Sequence, residues 1–203
     1  MNELLATAAK IQDFCERRDW KFCVIGGVAV LRWGQVRATV DVDMTLLTGF
    51  GAEDVFVDEL SKVYRWRPPC DREFSLTNRV LLLLDDNKTP LDVALGAMPF
   101  EERSITRSSL WEARPGVFIR TCSAEDLLIH KCFAGRERDW SDVDGILARQ
   151  GAGLDLQLVR AELKPLLALK EQPENLPRLE KAIKKHIGAF TQIQPAKPQT
   201  EQQ

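Results

Sequence analysis

Gly26-Gly27-Val28-Ala29-Val30-Leu31, followed by Arg37-Ala38-Thr39-Val40-Asp41-Val42-Asp43, is the stretch on which the fold of this chain turns. Just upstream, Lys21 to Ile25 has the apolar run of a short strand, the glycine pair breaks it, and Val28 to Trp33 reads as a helix opening after the break. From Thr39 to Leu47 the chain alternates. Val40, Val42, Met44 and Leu46 share one face of a predicted strand, and Thr39, Asp41, Asp43 and Thr45 share the other. Strand, glycine turn, helix and strand follow in order, with one apolar face for a core and one face that carries acids.

Aspartates two apart on a strand point the same way, with β-carbons about 7 Å apart, so their carboxylates converge on any cation between them. Without a cation they repel, by about 4 kcal/mol at 4 Å in an intermediate dielectric. Hard oxygen donors suit magnesium or manganese rather than zinc. The same spacing also describes the wet face of an edge strand. Asp92, in Leu91-Asp92-Val93-Ala94, adds an acid inside a second apolar pattern, where a carboxylate is costly unless a charge meets it. Three carboxylates on neighbouring strands make a site for attack at phosphorus. Gly26-Gly27 either lets a phosphate approach the backbone at a helix N-terminus or simply makes a tight turn. It does not supply G-x-G-x-x-G, which excludes that dinucleotide fingerprint. Arg37 and Thr39 stand just before the acid pair, so the guanidinium either reaches a polyphosphate or pairs with a surface acid.

Outward from this stretch, Asn2 to Arg18 has apolar residues at helical spacing, and a helix is predicted over Ala52 to Val63. A polar, proline-bearing link spans Arg65 to Arg72. Strands Arg79–Leu84 and Leu91–Leu95 then flank a hairpin turn at Asp85–Lys88. After a short strand at Val117–Arg120, Ser123-x-x-Asp126 has the form of a capping box for a helix from Ala124 to Phe133. Only helical patterns follow, over Arg138–Arg149, Leu154–Leu169 and Glu174–Phe190, with Pro165 and Pro177 placed to kink or trim the last two. The expectation is an α/β (α+β) core over residues 1–122, a helical region over 123–193, and a loose tail over 194–203, where little is apolar.

Lys131 lies on the sheet-facing stripe of its helix with Leu127 and Leu128, so its ammonium must meet an anion, such as a phosphate oxygen, or snorkel to water. Asp139 is placed to orient Lys131 or Arg136, or to cap its helix. His130 and His186 read as structural or solvated. With 28 basic and 30 acidic residues among 203, no overall charge demands a nucleic acid, although a local basic strip stays open to Arg32, Arg37, Arg65, Arg67, Arg72, Arg136 and Arg138. Five cysteines, odd in number and without C-x-x-C, read as reduced thiols of a cytoplasmic protein, and no apolar run reaches membrane-spanning length.

Taken together, the glycine pair, the helix and Arg37-x-Thr39-x-Asp41-Val42-Asp43 resemble the first motif of the nucleotidyltransferase superfamily that includes DNA polymerase β. Within it the chain looks like the small bacterial proteins of the AbiEii/AbiGii toxin type. The resemblance implies a mixed sheet flanked by helices, followed by a C-terminal helical region, with Asp41, Asp43 and Asp92 as ligands of magnesium or manganese. It implies that Gly26 and Gly27 contact the triphosphate. It also implies a catalytic Lys131 and a nucleotide-binding set in which Arg37, Thr39, Arg136 and Asp139 join it, because Lys131-Cys132-Phe133-Ala134-Gly135-Arg136-Glu137-Arg138-Asp139 is similar to a later family segment. Gly-Gly stands where many polymerase-like relatives have Gly-Ser, which removes one phosphate-binding hydroxyl. The implied activity is transfer of a nucleoside monophosphate from an NTP such as ATP to RNA or tRNA, as the toxin of a type IV toxin–antitoxin system with a cognate antitoxin protein. A lincosamide or aminoglycoside nucleotidyltransferase acting on a small molecule is the alternative acceptor reading, and a non-catalytic nucleotide- or partner-binding module is the alternative class.

Overall fold

Alternating apolar residues need a cover for one strand face only, and the computed structural model, which describes residues 2–188, shows what covers each. Its elements are α1 (Asn2–Glu16), β1 (Phe22–Val24), α2 (Gly26–Trp33), β2 (Val42–Leu47), α3 (Glu53–Ser61), β3 (Arg65–Trp66), α4 (Arg72–Asn78), β4 (Val80–Leu84) and β5 (Pro90–Gly96). They continue as α5 (Pro99–Arg107), β6 (Ser109–Arg114), β7 (Val117–Thr121), α6 (Ala124–Ala134), α7 (Glu137–Gln150), α8 (Leu156–Lys170) and α9 (Asn175–His186). The strands form one mixed sheet in the order β3-β4-β5-β2-β1-β7-β6, with β2–β5 and β1–β7 parallel and the other pairs antiparallel.

One face is fully covered. Val42, Met44 and Leu46 of β2 join Leu81, Leu83, Leu91 and Val93 beneath Leu4, Ile11 and Cys15 of α1 and Val57 and Leu60 of α3. Each of these aliphatic side chains contributes roughly 1.5–3 kcal/mol by leaving water. The other face is covered only in part. Cys23 and Cys122 pack with Ala29 and Val30 of α2 and with Leu127, Leu128, Val143, Ile146 and Leu163 of α6, α7 and α8. Over β4 and β5 the residues of this face, Leu82, Leu84, Asp92 and Ala94 among them, stay half-buried. That open half of the sheet is where the acids sit.

Several expectations need correcting. Strand β2 starts at Val42, because neither β1 nor β5 pairs with residues 39–41, so Val40 is 73% exposed rather than turned to the core. The glycine pair forms the first turn of α2 instead of a turn ahead of it. The polar link at 65–72 holds edge strand β3, and α4 follows, capped by Asp71, whose side chain accepts the Phe74 N–H at 2.8 Å. Helix α5 and strand β6 were not expected at all. Proline at the first position of α5 and Glu101, which accepts the N–H groups of Ala97 and Met98 at 2.8 Å each, were the signals for it. Pro165 sits inside α8 without ending it, and Pro177 lies in the first turn of α9.

Other expectations match the structure. The hairpin turn closes with Asp85 N–H on the Thr89 carbonyl at 3.0 Å, and Ser123 Oγ accepts the Asp126 N–H at 3.1 Å to cap α6. All five cysteines are free and buried, and burial pushes the thiols of Cys15, Cys23 and Cys132 up to about 12. No described helix is long and apolar enough to cross a membrane. The predicted tail and the last residues of the helical region, from 189 on, lie outside the described residues.

Candidate active-site cleft

Parallel pairing of β2 with β5 sets Asp43 directly opposite Asp92, on the half-open face. Asp41 lies in the segment just before β2, where Thr39 Oγ1 donates to its Oδ1 at 2.9 Å. The two glycines make room for these side chains. Gly26 has φ +58°, and a β-carbon there would lie 1.9 Å from Asp43 Oδ2; one on Gly27 would lie 2.1 Å from Thr39 Oγ1. Both separations are far inside van der Waals contact. The Gly27 N–H points to Asp43 Oδ2 at 3.4 Å, and the Ile25 N–H holds the Asp43 carbonyl at 2.9 Å. The pair thus clears space for the acids, and the Gly27 amide at the start of α2 is directed at one of them.

Cations enter from the opposite wall. Lys131, only 6% exposed, is anchored by Asp142 at 2.8 Å and Asp139 at 3.3 Å. Arg37 meets the same Asp142 through two parallel hydrogen bonds of 2.6 and 2.8 Å. Arg136 reaches Asp139 at 2.6 Å, and its N–H donates to the same carboxylate at 3.2 Å, so Asp139 both orients cations and caps α7. Asp142 was missed by sequence reasoning. It lies three residues after Asp139 on the buried stripe of α7 beside Val143, and an acid in that position is the signal that would have found it. Burial alone would raise the Asp142 carboxyl, but Arg37 and Lys131 outweigh it and hold the group below its ordinary range; Arg136 and Lys131 do the same for Asp139.

Nine of the ten predicted site residues line one cleft of about 240 Å³; Gly26 instead packs behind Asp43, and Arg138 joins the lining. Of the proposed basic strip, Arg37, Arg136 and Arg138 converge here. Arg32 binds Ser109 and Thr121, and Arg72 pairs with Asp54 and Asp58. A larger cavity, about 410 Å³ between α5, α6 and α8, is walled by Phe100, Phe133, Leu166 and Leu169 and holds no comparable set of charges. His130 lines it with its Nε2 unpartnered, whereas His186 pairs with Asp144.

The acids are under mutual strain. Burial, then the charges of Asp41 and Asp92, push the Asp43 carboxyl up to about 6. Burial also raises Asp92, although Arg67 forms an ion pair with it. Among the described residues no group of three or more acidic, histidine or cysteine side chains is drawn together closely enough to hold a metal ion. The donor set nevertheless has the chemistry of a hard divalent cation site. Asp41 and Asp43 offer oxygens and repel one another, and Asp92 stands in register beside them with its carboxylate turned to a guanidinium.

No family model matches the sequence, and no curated protein matches it. Among solved structures, an antigenic nucleotidyltransferase-like protein from Paracoccidioides brasiliensis aligns over 92% of this chain and 94% of its own, with a TM-score of 0.54 and 14% identity. The lincosamide antibiotic adenylyltransferase LnuA, lincomycin-bound, aligns over 66% of this chain and 89% of its own (TM-score 0.42, 17% identity). The antibiotic-resistance factor ANT(2'')-Ia aligns over 93% and 94% (TM-score 0.41, 14% identity). These last two are too distant in shape to bear on the argument. On its seven-stranded mixed sheet, its flanking helices and the first of these likenesses, the chain has the nucleotidyltransferase fold.

Proposed function

We propose that the protein transfers a nucleoside monophosphate from a nucleoside triphosphate to an acceptor hydroxyl, with Asp41, Asp43 and Asp92 as the ligands of magnesium or manganese. One observation carries this reading: Asp41, Asp43 and Asp92 line a single cleft together with Lys131, Arg37, Arg136 and Gly27. A triphosphate needs that polarity, cations and an amide for its oxygens and carboxylates for its counter-ions. A bound divalent cation would supply charge neutralisation and alignment of the reacting oxygens. The chain's own groups do the remainder. Gly27, Lys131 and the two arginines hold the β- and γ-phosphates, and Asp142 fixes Arg37 and Lys131 relative to each other. The acceptor oxygen forms its bond to the α-phosphorus, the bond from that phosphorus to the pyrophosphate oxygen breaks, and Asp92, raised by burial, takes the acceptor proton. For the acceptor we favour an RNA end. Arg136 and Arg138 stand at the exposed rim of the cleft, where a phosphodiester would pass.

The test is incubation with each labelled NTP, magnesium and total cellular RNA, with small antibiotics in parallel. Label should enter an RNA band, and Asp41→Ala and Asp43→Ala should each reduce it by at least roughly 100-fold while the fold persists. Label on an antibiotic would replace the acceptor. Magnesium-dependent NTP binding without turnover on either would leave a binding module instead of an enzyme.

A further inference from the structure

We propose that Arg67 is a resident counter-ion which a divalent cation must displace from Asp92, so that Arg67 sets the metal concentration at which the third carboxylate joins the site. The inference rests on the metal-dependent reading above. Sheet register supplies the geometry. Arg67, just past β3, donates its N–H to the Leu82 carbonyl at 2.9 Å; Leu82 is the cross-strand partner of Asp92, and Asp92 that of Asp43. Arg67, Asp92 and Asp43 therefore stand in one row across the open face of the sheet. Arg67 takes Oδ1 of Asp92, so a cation bound by this carboxylate would compete with the guanidinium for it.

This pair differs from the other ion pairs of the cleft. Asp139 and Asp142 are each 2% exposed in their side chains, so their carboxylates have little contact with solvent. The Asp92 side chain is 26% exposed and that of Arg67 30%. Ion pairs this open to water are weak, and a divalent cation bridging two or three carboxylates outcompetes a single guanidinium. Exchange needs no movement of the strands, since register already places Asp92 beside Asp43.

The experiment is titration of the full chain with Mn2+, free ion being read by electron paramagnetic resonance, for the natural protein, Arg67→Gln, Arg67→Lys, Asp92→Asn and the double variant Arg67→Gln/Asp92→Asn. Arg67→Gln should bind Mn2+ roughly 3- to 10-fold more tightly than the natural chain. Arg67→Lys, which keeps the charge without the planar fork, should fall between them. Asp92→Asn should bind more weakly, and adding Arg67→Gln to it should change nothing. If Arg67→Gln matches or falls below the natural affinity while Asp92→Asn still weakens binding, the exchange is wrong and the metal reading stands. If neither the natural chain nor Arg67→Gln binds Mn2+, both are wrong. A second measurement avoids substitution of Arg67 in the sample under study: its guanidinium nitrogen resonance in the natural protein should shift with Mg2+ at the midpoint of metal binding. A resonance that stays fixed through saturation overturns the proposal.

Discussion

Helix α6 carries a buried charge at each end, and the two ends are built differently. At the first turn Asp126, with no exposed surface, receives Arg107 through bonds of 3.0 and 2.6 Å and Ser123 Oγ at 3.0 Å. Arg107 and Arg103 share Glu162, so two guanidinium groups meet two carboxylates and the cluster closes on itself. At the last turn Lys131, Arg37 and Arg136 share only Asp139 and Asp142, which leaves positive charge in surplus, and that surplus faces Asp41, Asp43 and Asp92. A closed cluster offsets its own desolvation and ends there. An open one leaves charge to be met, on the proposed function by a triphosphate, and this difference distinguishes the two ends of a single helix.

The comparison can be broken most forcefully at its buried anchors. Asp126→Ala leaves Arg107 with Glu162 alone and removes the carboxylate to which Ser123 Oγ donates, and should cost about 3 kcal/mol, a fall in Tm on the order of 10 °C by circular dichroism, with the proposed nucleotide transfer by the folded protein unchanged. Asp142→Ala should cost about 2 kcal/mol and, in addition, slow transfer on the order of 10- to 100-fold, because Arg37 and Lys131 lose their common anchor. Equal effects of the two variants on the transfer rate would erase the distinction.

A smaller effect concerns pH. The folded-state pKa of Asp43, about 6, lies above its ordinary value of 3.8, so between these values the folded chain holds more protons than the unfolded one. Ionisation of Asp43 therefore weakens the fold as pH rises through about 6. Asp43→Asn should gain about 1–2 kcal/mol in urea unfolding at pH 7.5, and the gain should vanish near pH 4. Asp139 and Asp142, held low, work in the opposite sense: their contribution is present above their ordinary range and is lost as pH falls through their folded values. A gain for Asp43→Asn that is the same at both pH values would remove the repulsion among the acids. The smallest contrast lies at the rims. Arg136→Ala should leave stability within about 0.5 kcal/mol yet weaken NTP binding roughly 5-fold by calorimetry, whereas Glu162→Gln should lower stability by about 1 kcal/mol and leave binding alone.

How much of this was legible beforehand depends on the range of the interaction that decides it. The acid pair, the glycines and the N-cap of α6 are local patterns, and together with the family resemblance they lead to a mixed sheet, with five of its seven strands expected, and to nine residues of one cleft. The start of β2 was misplaced because alternation continues through Val40, while pairing, which depends on a strand elsewhere in the chain, begins only at Val42. Asp142 went unrecognised, and Arg67 is read from sequence only as part of a basic strip, for a similar reason: their partners Arg37 and Asp92 lie 105 and 25 residues away. Helix α5 had its local signals, proline and a glutamate two residues on, and was overlooked because its pattern is short and mostly polar.

Asp142 binds Arg37 and Lys131 together, and it thereby orders events during synthesis of the chain. The three cleft acids, Arg37 and Arg67 are all present once residue 92 has emerged from a ribosome, but Lys131, Arg136 and the buried anchors Asp139 and Asp142 come only with residues 131–142, after every strand of the sheet. Until α7 docks, Arg37 has no buried anchor and the acids have no opposing wall. A nascent chain that has completed its sheet therefore still lacks the cleft proposed to hold a triphosphate. The cleft is completed late, when the helical layer closes over α2.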